Sequence, residues 1–266
     1  MALLVRHPVS DRITLAGLQE MKRHGRKIVG VVVYDYQMAM IADRAGVEIV
    51  SAGDSVGINL WGHRSEEEVT IDQMLLICQA VRRGVTRALV SCDVPIRCLS
   101  AGSDAAVRAA TRLVGEGGAD LVKVDAAASS VETVGAIVRA GVPVWAQFGT
   151  TEAGAAADRL VDEARRLERA GACLLDFRFS GPVAGPAVVH AVNVPVIGGL
   201  GGGPWLDGRI RSIVVASGYL ASAIDDARER YANVAATTLS AIRALCEDVR
   251  AGGPLRGDSD PPRPPR

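Results

Sequence analysis

The sequence has no long hydrophobic stretch. Its 266 residues contain no run near the ~20 apolar residues that a helix needs to span a bilayer. The N-terminus also lacks the order of charged, apolar and small residues that is typical of a signal peptide. We therefore expect a cytoplasmic protein that has no membrane partner.

An excess of charge of one sign is also missing. Thirty Lys and Arg residues balance thirty Asp and Glu residues, so the formal net charge is zero. A neutral chain has no overall field that attracts a phosphate backbone. We therefore expect no nucleic-acid partner.

Paired cysteines are a third absence. The five cysteines form no CxxC motif, and an odd number in a chain of this length does not suggest a disulfide framework. We interpret them as small, buried apolar residues.

The sequence does contain a regular alternation of short β-branched runs with longer segments of helical period. This alternation predicts parallel strands joined by crossover helices. Because the short runs are almost continuously apolar, we expect strands that are buried on both faces. The eight predicted strands are residues 28–34, 48–52, 88–92, 121–124, 142–146, 172–177, 194–197 and 213–216.

The segments between these runs predict helices, several of which end at a glycine that is typical of a helix C-terminus (residues 46, 84, 141 and 171). Eight strands with helices between them favour an α/β fold with a single (β/α)8 TIM barrel over residues 1–255. A doubly wound open sheet has a similar pattern and is the alternative fold. Residues 256–266 are rich in proline and have no apolar face, which predicts a disordered tail. The predicted helices are residues 10–23, 36–45, 70–83, 103–115, 130–140, 155–170 and 221–249.

Three carboxylates follow or end consecutive predicted strands: Asp54, Asp93 and Asp125. The carboxyl ends of barrel strands share one face, so these side chains can converge on one point. Clustered carboxylates repel each other unless a cation lies among them, and oxygen ligands favour Mg²⁺. The alternative is that each Asp caps the helix that follows it.

Lys123 precedes Asp125 by two residues, on the same side of an extended strand. A lysine that points into the barrel mouth would meet a substrate carboxylate or balance the acidic cluster, whereas a lysine at the rim would have no such role. Ser55 can donate a hydrogen bond to the same carboxylate, although Ser after Asp is also an ordinary turn residue.

With these residues aligned, the chain resembles the ketopantoate hydroxymethyltransferase family over roughly residues 10 to 255. The resemblance rests on motifs in this order: YDY, ADRAGVE, GDSVG, GH, VTIDQM, AVRRG, CDVP, GADLVKVD, AGVPVWAQFG, LERAGACLL, VPVIGGLGGG and LDGRI. It implies a barrel of the phosphoenolpyruvate/pyruvate-type superfamily and a homo-oligomer. It also implies a reaction that joins a one-carbon unit from methylenetetrahydrofolate to the carbon next to the ketone of 3-methyl-2-oxobutanoate, a small 2-oxo acid.

The resemblance also implies roles for individual residues. Asp54 and Asp93 would ligate Mg²⁺ or Mn²⁺, and Ser55 and Lys123 would hold the carboxylate of the oxo acid. Asp93 and Tyr34, from the YDY motif, are expected to line the same substrate site. Asp125 stands where the family has a metal-associated Glu, and its shorter side chain implies an intervening water.

Three features depart from the family pattern. Arg178 aligns with the strand-six Glu that serves the family as its base, and Gln147 replaces its strand-five histidine. The glycine-rich loop after strand five is reduced to TTEAGAAADR. A guanidinium cannot act as a base near neutral pH, so Asp176, on the same strand face as Arg178, is a candidate to pair with it or to take over part of its role.

These observations leave three hypotheses. The first is a metal-dependent hydroxymethyltransferase-like enzyme that makes or breaks a C–C bond next to the ketone of a 2-oxo acid. The second is a diverged lyase, hydrolase or aldolase that acts on another oxo acid, with Arg178 clamping a second carboxylate. The third is a scaffold without catalysis, which clustered carboxylates argue against.

Overall fold

Eight parallel strands close into a barrel in the order of the sequence. The computed structural model describes residues 12–149, 157–199, 201–226, 228 and 231–250. The predicted tail, 256–266, lies outside the described residues. The strands are β1 (Ile28–Val33), β2 (Ile49–Ala52), β3 (Leu89–Asp93), β4 (Leu121–Val124), β5 (Val144–Gly149), β6 (Leu174–Arg178), β7 (Val196–Gly198) and β8 (Gly208–Ser212).

Helices connect most of these strands and begin where the sequence supplies a cap. Asp35 accepts a hydrogen bond from the Met38 amide at the start of α2, and Thr70 forms a capping box with Gln73 at the start of α4. The helices are α1 (Leu15–Arg23), α2 (Tyr36–Ala45), α3 (Val56–Trp61), α4 (Ile71–Gly84), α5 (Ile96–Ser100), α6 (Ser103–Gly115), α7 (Val131–Arg139), α8 (Ala157–Arg169), α9 (Ala184–Ala191), α10 (Ile213–Ser217) and α11 (Val234–Arg250).

The barrel prediction is confirmed, but the position of the eighth strand was wrong. Residues 213–216 form part of helix α10, and the strand that closes the barrel is Gly208–Ser212. A short β-branched run alone does not distinguish a strand from a helix. Gly208 pairs with Ile28 of β1 so closely that a Cβ on residue 208 would lie 2.2 Å from the Ile28 carbonyl oxygen. Glycine at this point therefore permits closure of the barrel.

The chain divides into two compact units, Met1–Ser212 and Ile213–Arg266. The first contains all eight strands, and the second contains α10 and α11. In the second unit, the Asn233 side chain accepts a hydrogen bond from the Ala236 amide in the first turn of α11. Among the described residues, no helix combines the length and the apolar character that a membrane span requires.

The barrel interior is apolar near the amino-terminal ends of the strands. One buried side chain from each strand packs into a common core with Leu18 and Met21 of α1, which closes the amino-terminal end of the barrel. The strand residues of this core are Ile28, Ile49, Leu89, Leu121, Trp145, Leu174, Ile197 and Ile210. Because inward-facing residues alternate along a strand, the next ones on β2 to β6 are polar and point toward the carboxyl end. This change from apolar to polar marks the floor of the candidate site.

Candidate active site

Two aspartates meet at the carboxyl ends of neighbouring strands. Asp93 is the last residue of β3, and Asp54 follows β2. Both are buried, and the Asp54 amide donates a hydrogen bond of 3.3 Å to Asp93 Oδ2. The alternative role as a helix cap does not describe Asp54, since Ser55 is the N-cap of α3. The barrel thus places the two carboxyl groups side by side.

Each of these carboxyl groups has an oxygen that accepts no hydrogen bond from the described part of the chain. Asp54 Oδ2 and Asp93 Oδ1 are buried and accept no hydrogen bond there. Burial, together with the charges of Asp93 and Asp125, raises the pKa of Asp54 to about 9. Burial also raises the pKa of Asp93 to about 6, although the charge of Lys123 opposes the rise. Adjacent buried carboxylates are costly unless a cation compensates them.

These two residues fit a hard divalent cation. Mg²⁺ is commonly bound through one or two carboxylates, with waters and substrate oxygens completing its shell. Asp125, the predicted third ligand, binds the Lys123 ammonium through Oδ1 at 2.5 Å, and its part in metal binding stays a prediction. Accordingly, no set of three or more His, Cys, Asp or Glu side chains in the described ranges has the arrangement of a metal site. Asp54 and Asp93 are thus the two described carboxylates with a buried oxygen free to bind a metal.

Lys123 lies between the acidic groups. Its side chain is buried, and Nζ is 3.9 Å from both Asp93 Oδ1 and Asp176 Oδ2. Burial by itself would lower the pKa of Lys123, but the charges of Asp125, Asp93 and Asp176 outweigh it and raise the pKa above its usual value. Lys123 therefore carries a positive charge inside the barrel mouth and does not extend to the rim.

Ser55 belongs to a cluster of hydroxyl groups on the other side of the mouth. Its Oγ lies 3.0 Å from the Tyr34 hydroxyl, which also lies 3.0 Å from Ser212 Oγ. Asn59 donates a hydrogen bond of 2.9 Å to the same tyrosine oxygen. Tyr34 is almost completely buried, so these contacts fix its ring and orient the Ser55 hydroxyl.

The ends of β5 and β6 carry the residues that depart from the family pattern. Gln147 Nε2 donates to Asp176 Oδ2 at 3.3 Å, and Gln147 Oε1 accepts from Arg178 Nη1 at 3.2 Å. Asp176 also accepts a hydrogen bond of 3.4 Å from the Gly199 amide. Burial raises the pKa of Asp176, against the lowering effect of Lys123. Gln147 thus stands between Asp176 and Arg178, which form no direct ion pair in the described part of the chain.

Comparison with known proteins decides the family. The model of ketopantoate hydroxymethyltransferase matches residues 12–253. The chain belongs to this family. A 3-methyl-2-oxobutanoate hydroxymethyltransferase from Cyanothece sp. is 34% identical over 90% of this chain and 96% of its own length. One from Moorella thermoacetica is also 34% identical, over 91% and 95%. This ketopantoate hydroxymethyltransferase family member is therefore an enzyme of the hydroxymethyltransferase kind, as the sequence predicted.

Solved structures confirm the barrel of this family member. A phosphonopyruvate hydrolase, in complex with oxalate and Mg²⁺, aligns with a TM-score of 0.63 at 14% identity, over 94% of this chain and 92% of the other. A 2,3-dimethylmalate lyase of the PEP mutase/isocitrate lyase superfamily aligns with a TM-score of 0.61 at 15% identity, over 94% and 91%. At these identities the likeness shows the fold alone.

The structure adds residues that sequence reasoning missed in this family member. Ser212 was missed because the eighth strand was placed too late, and its only signal was the alternating pattern of GRIRS. Asn59 lies within a short helix and gave no signal of its own. The shortened loop after β5, residues 150–159, falls largely outside the described residues.

Proposed function

We propose that this enzyme makes or breaks a C–C bond next to the ketone of a 2-oxo acid, with Mg²⁺ or Mn²⁺ held by Asp54 and Asp93. The observation that carries the proposal is the pair of buried carboxylate oxygens, one on each aspartate, that accept no hydrogen bond from the described residues, with the buried ammonium of Lys123 nearby. A bound divalent cation would polarise the ketone of the substrate and make the neighbouring C–H bond more acidic.

The residues around the metal pair support a defined orientation of the oxo acid. Lys123 supplies a fixed positive charge, and Ser55 supplies a hydroxyl group that Tyr34 orients. Both can donate hydrogen bonds to the acid's carboxylate. Asp125 stays paired with Lys123 and holds the ammonium in place. The substrate's ketone would then face the pair of aspartates.

Proton transfer is where this chain departs from its relatives in our proposal. Arg178 occupies the position at which the resemblance places the base, and a guanidinium does not accept a proton near neutral pH. Asp176 is buried between Lys123 and Gln147. We therefore propose that the family's own condensation is slow here. The second candidate, a lyase, hydrolase or aldolase acting on another oxo acid, is favoured by Arg178 itself.

Two further features belong to the proposal. Methylenetetrahydrofolate is proposed as the co-substrate if the one-carbon transfer is retained. A homo-oligomer is proposed because Ile41 of α2 and Leu76 of α4 are apolar, more than half exposed, and lie on helices that pack together.

The experiment is calorimetry of Mg²⁺ alone and of 3-methyl-2-oxobutanoate with Mg²⁺. We expect Asp93→Asn to abolish metal binding. We expect Lys123→Met to weaken binding of the oxo acid by roughly 1.5–3 kcal/mol, the usual contribution of a charge-assisted hydrogen bond. Asp162→Asn, at an exposed carboxylate on α8, is the matched control. Metal binding that survives Asp93→Asn, or equal oxo-acid binding by Lys123→Met, would contradict the proposal.

A further inference from the structure

Arg178 is a cation that has no anionic partner among the described residues of the site. Its side chain is half-buried at the end of β6. Within the described residues, its guanidinium makes one hydrogen bond, to Gln147, and no carboxylate lies within 4 Å of it. A guanidinium has five N–H donors, so most of them remain available. Partly burying such a group is unfavourable unless an anion compensates it.

The neighbouring side chains hold this guanidinium in one orientation. Gln147 is buried, and its amide has a single arrangement that satisfies both neighbours, since Asp176 requires a donor and Arg178 requires an acceptor. Arg178 is thereby fixed at one terminal nitrogen before any ligand arrives. Such preorganisation lowers the entropic cost of binding.

A strained aromatic residue lies next to the guanidinium. Phe179 has a φ of 52°, in the left-handed region that bulky residues rarely adopt. Its ring centroid lies 5.9 Å from Arg178 Cζ, within the range of a cation–π contact. Gly201 accommodates this turn, because a Cβ there would lie 2.7 Å from the Phe179 ring. The aromatic ring attracts the cation without accepting its conventional hydrogen bonds, so the remaining N–H donors stay available to a ligand.

The position of Arg178 relative to Lys123 indicates the class of ligand. The two cations belong to the same barrel mouth and are linked through Asp176 and Gln147, by contacts of 3.9, 3.3 and 3.2 Å. Strands β4 and β6 are separated by β5, so the cations approach a ligand from different sides. We infer that the substrate is an oxo acid with a second carboxylate, which Arg178 binds while Lys123 holds the carboxylate next to the ketone. This inference rests on the proposed function.

The edge of a guanidinium matches a carboxylate in plane and spacing, which allows two parallel hydrogen bonds. Calorimetry with Mg²⁺ should compare 2-oxoglutarate with 2-oxohexanoate, a monoacid of similar length. We expect the diacid to bind roughly 10- to 100-fold more tightly, the range of a charge-assisted hydrogen bond. Arg178→Met should bring the ratio of the two dissociation constants close to one. Arg178→Lys should retain part of the preference for the diacid, because a lysine keeps the positive charge but cannot form two parallel hydrogen bonds.

The ratio is measured within each protein, so a general loss of stability does not imitate the expected result. Thermal melting and Mg²⁺ binding show that each variant is folded. Equal binding of the two acids by the unmodified protein would overturn the inference and leave the proposed function standing. A preference for the diacid that persists in Arg178→Met would also overturn it. If neither acid binds while Mg²⁺ does, the proposed function fails and the inference fails with it.

Discussion

Asp43 offers a test of how a buried carboxylate holds the outer helices to the barrel. This residue of α2 is nearly buried and accepts hydrogen bonds from the amides of Thr86, Arg87 and Ala88 and from the Thr86 hydroxyl. Those donors lie just before β3, so one side chain joins the end of a helix to the start of a strand. We expect Asp43→Asn, which changes almost no volume, to be strongly destabilising.

The magnitude follows from the two oxygens of Asp43. Its Oδ1 accepts from the Ala88 amide at 2.7 Å and the Arg87 amide at 3.1 Å. An asparagine can keep its oxygen on the Thr86 side, but its NH₂ group then faces these two amide donors. A buried donor without an acceptor costs about 1–3 kcal/mol. With Arg87 partly served by the remaining oxygen at 3.2 Å, we expect a loss of about 3 kcal/mol in the free energy of unfolding.

The assay is urea unfolding of the unmodified protein, Asp43→Asn and the exposed control Asp162→Asn, followed by tryptophan fluorescence. At pH 7 the control should change the free energy by less than ~0.5 kcal/mol. Burial raises the pKa of Asp43, but the hydrogen bonds from Ala88, Thr86 and Arg87 outweigh it and lower the pKa below 3.8. The stability from the ionised form is therefore present above about pH 4 and is lost as the pH falls through the lowered pKa. A difference below 1 kcal/mol at pH 7, or one that does not shrink in acid, would refute the reasoning.

Two further predictions concern the proton transfer and the barrel closure. With Mg²⁺, the unmodified protein should exchange the C3 proton of 3-methyl-2-oxobutanoate for deuterium roughly 10²- to 10⁴-fold more slowly than Arg178→Glu, because that is the usual effect of a positioned base. Rapid exchange by the unmodified protein, followed by NMR, would show that a base survives elsewhere. Gly208→Ala should destabilise the barrel by about 3 kcal/mol in urea unfolding because its Cβ would meet the Ile28 carbonyl. The control Gly115→Ala, with open space around residue 115, should be neutral or slightly stabilising. Equal effects of the two substitutions would contradict the role of Gly208 in strand closure.

The fold was largely predictable because the barrel repeats one local pattern. Buried β-branched runs such as β7 are apolar on both faces, and glycines with positive φ at residues 46, 141 and 171 follow helices α2, α7 and α8. Helix α4 also ends at a glycine, as predicted, but Gly84 is its last residue, has no positive φ and lies against the Tyr36 carbonyl. The eighth strand was missed because its outward positions are exposed arginines, which conceal a short strand from a search for apolar runs.

The sequence predicted which residues form the site better than it predicted which of them contact each other. Alternation along β4 places Lys123 and Asp125 on one face, but it does not decide whether the ammonium binds a carboxylate of the protein or one of a substrate. Their direct contact depends on the burial and charge of the whole mouth. In the same way, the order Gln147, Asp176, Arg178 gives no sign that the amide lies between the two charged groups, since that depends on the register of β5 against β6.

Helix α1 closes the barrel at the end opposite the aspartates, through Leu18 and Met21. The apolar core that holds the strands together thus lies at one end of the barrel, and the acid selectivity that we propose lies at the other. This separation favours evolvability. Substitutions around Arg178 that change the accepted acid would leave the apolar core beneath α1 unchanged. Libraries built on the turn after β6 should consequently yield a high proportion of folded variants. Stabilising the packing of α1 first should widen the range of substitutions that these libraries tolerate.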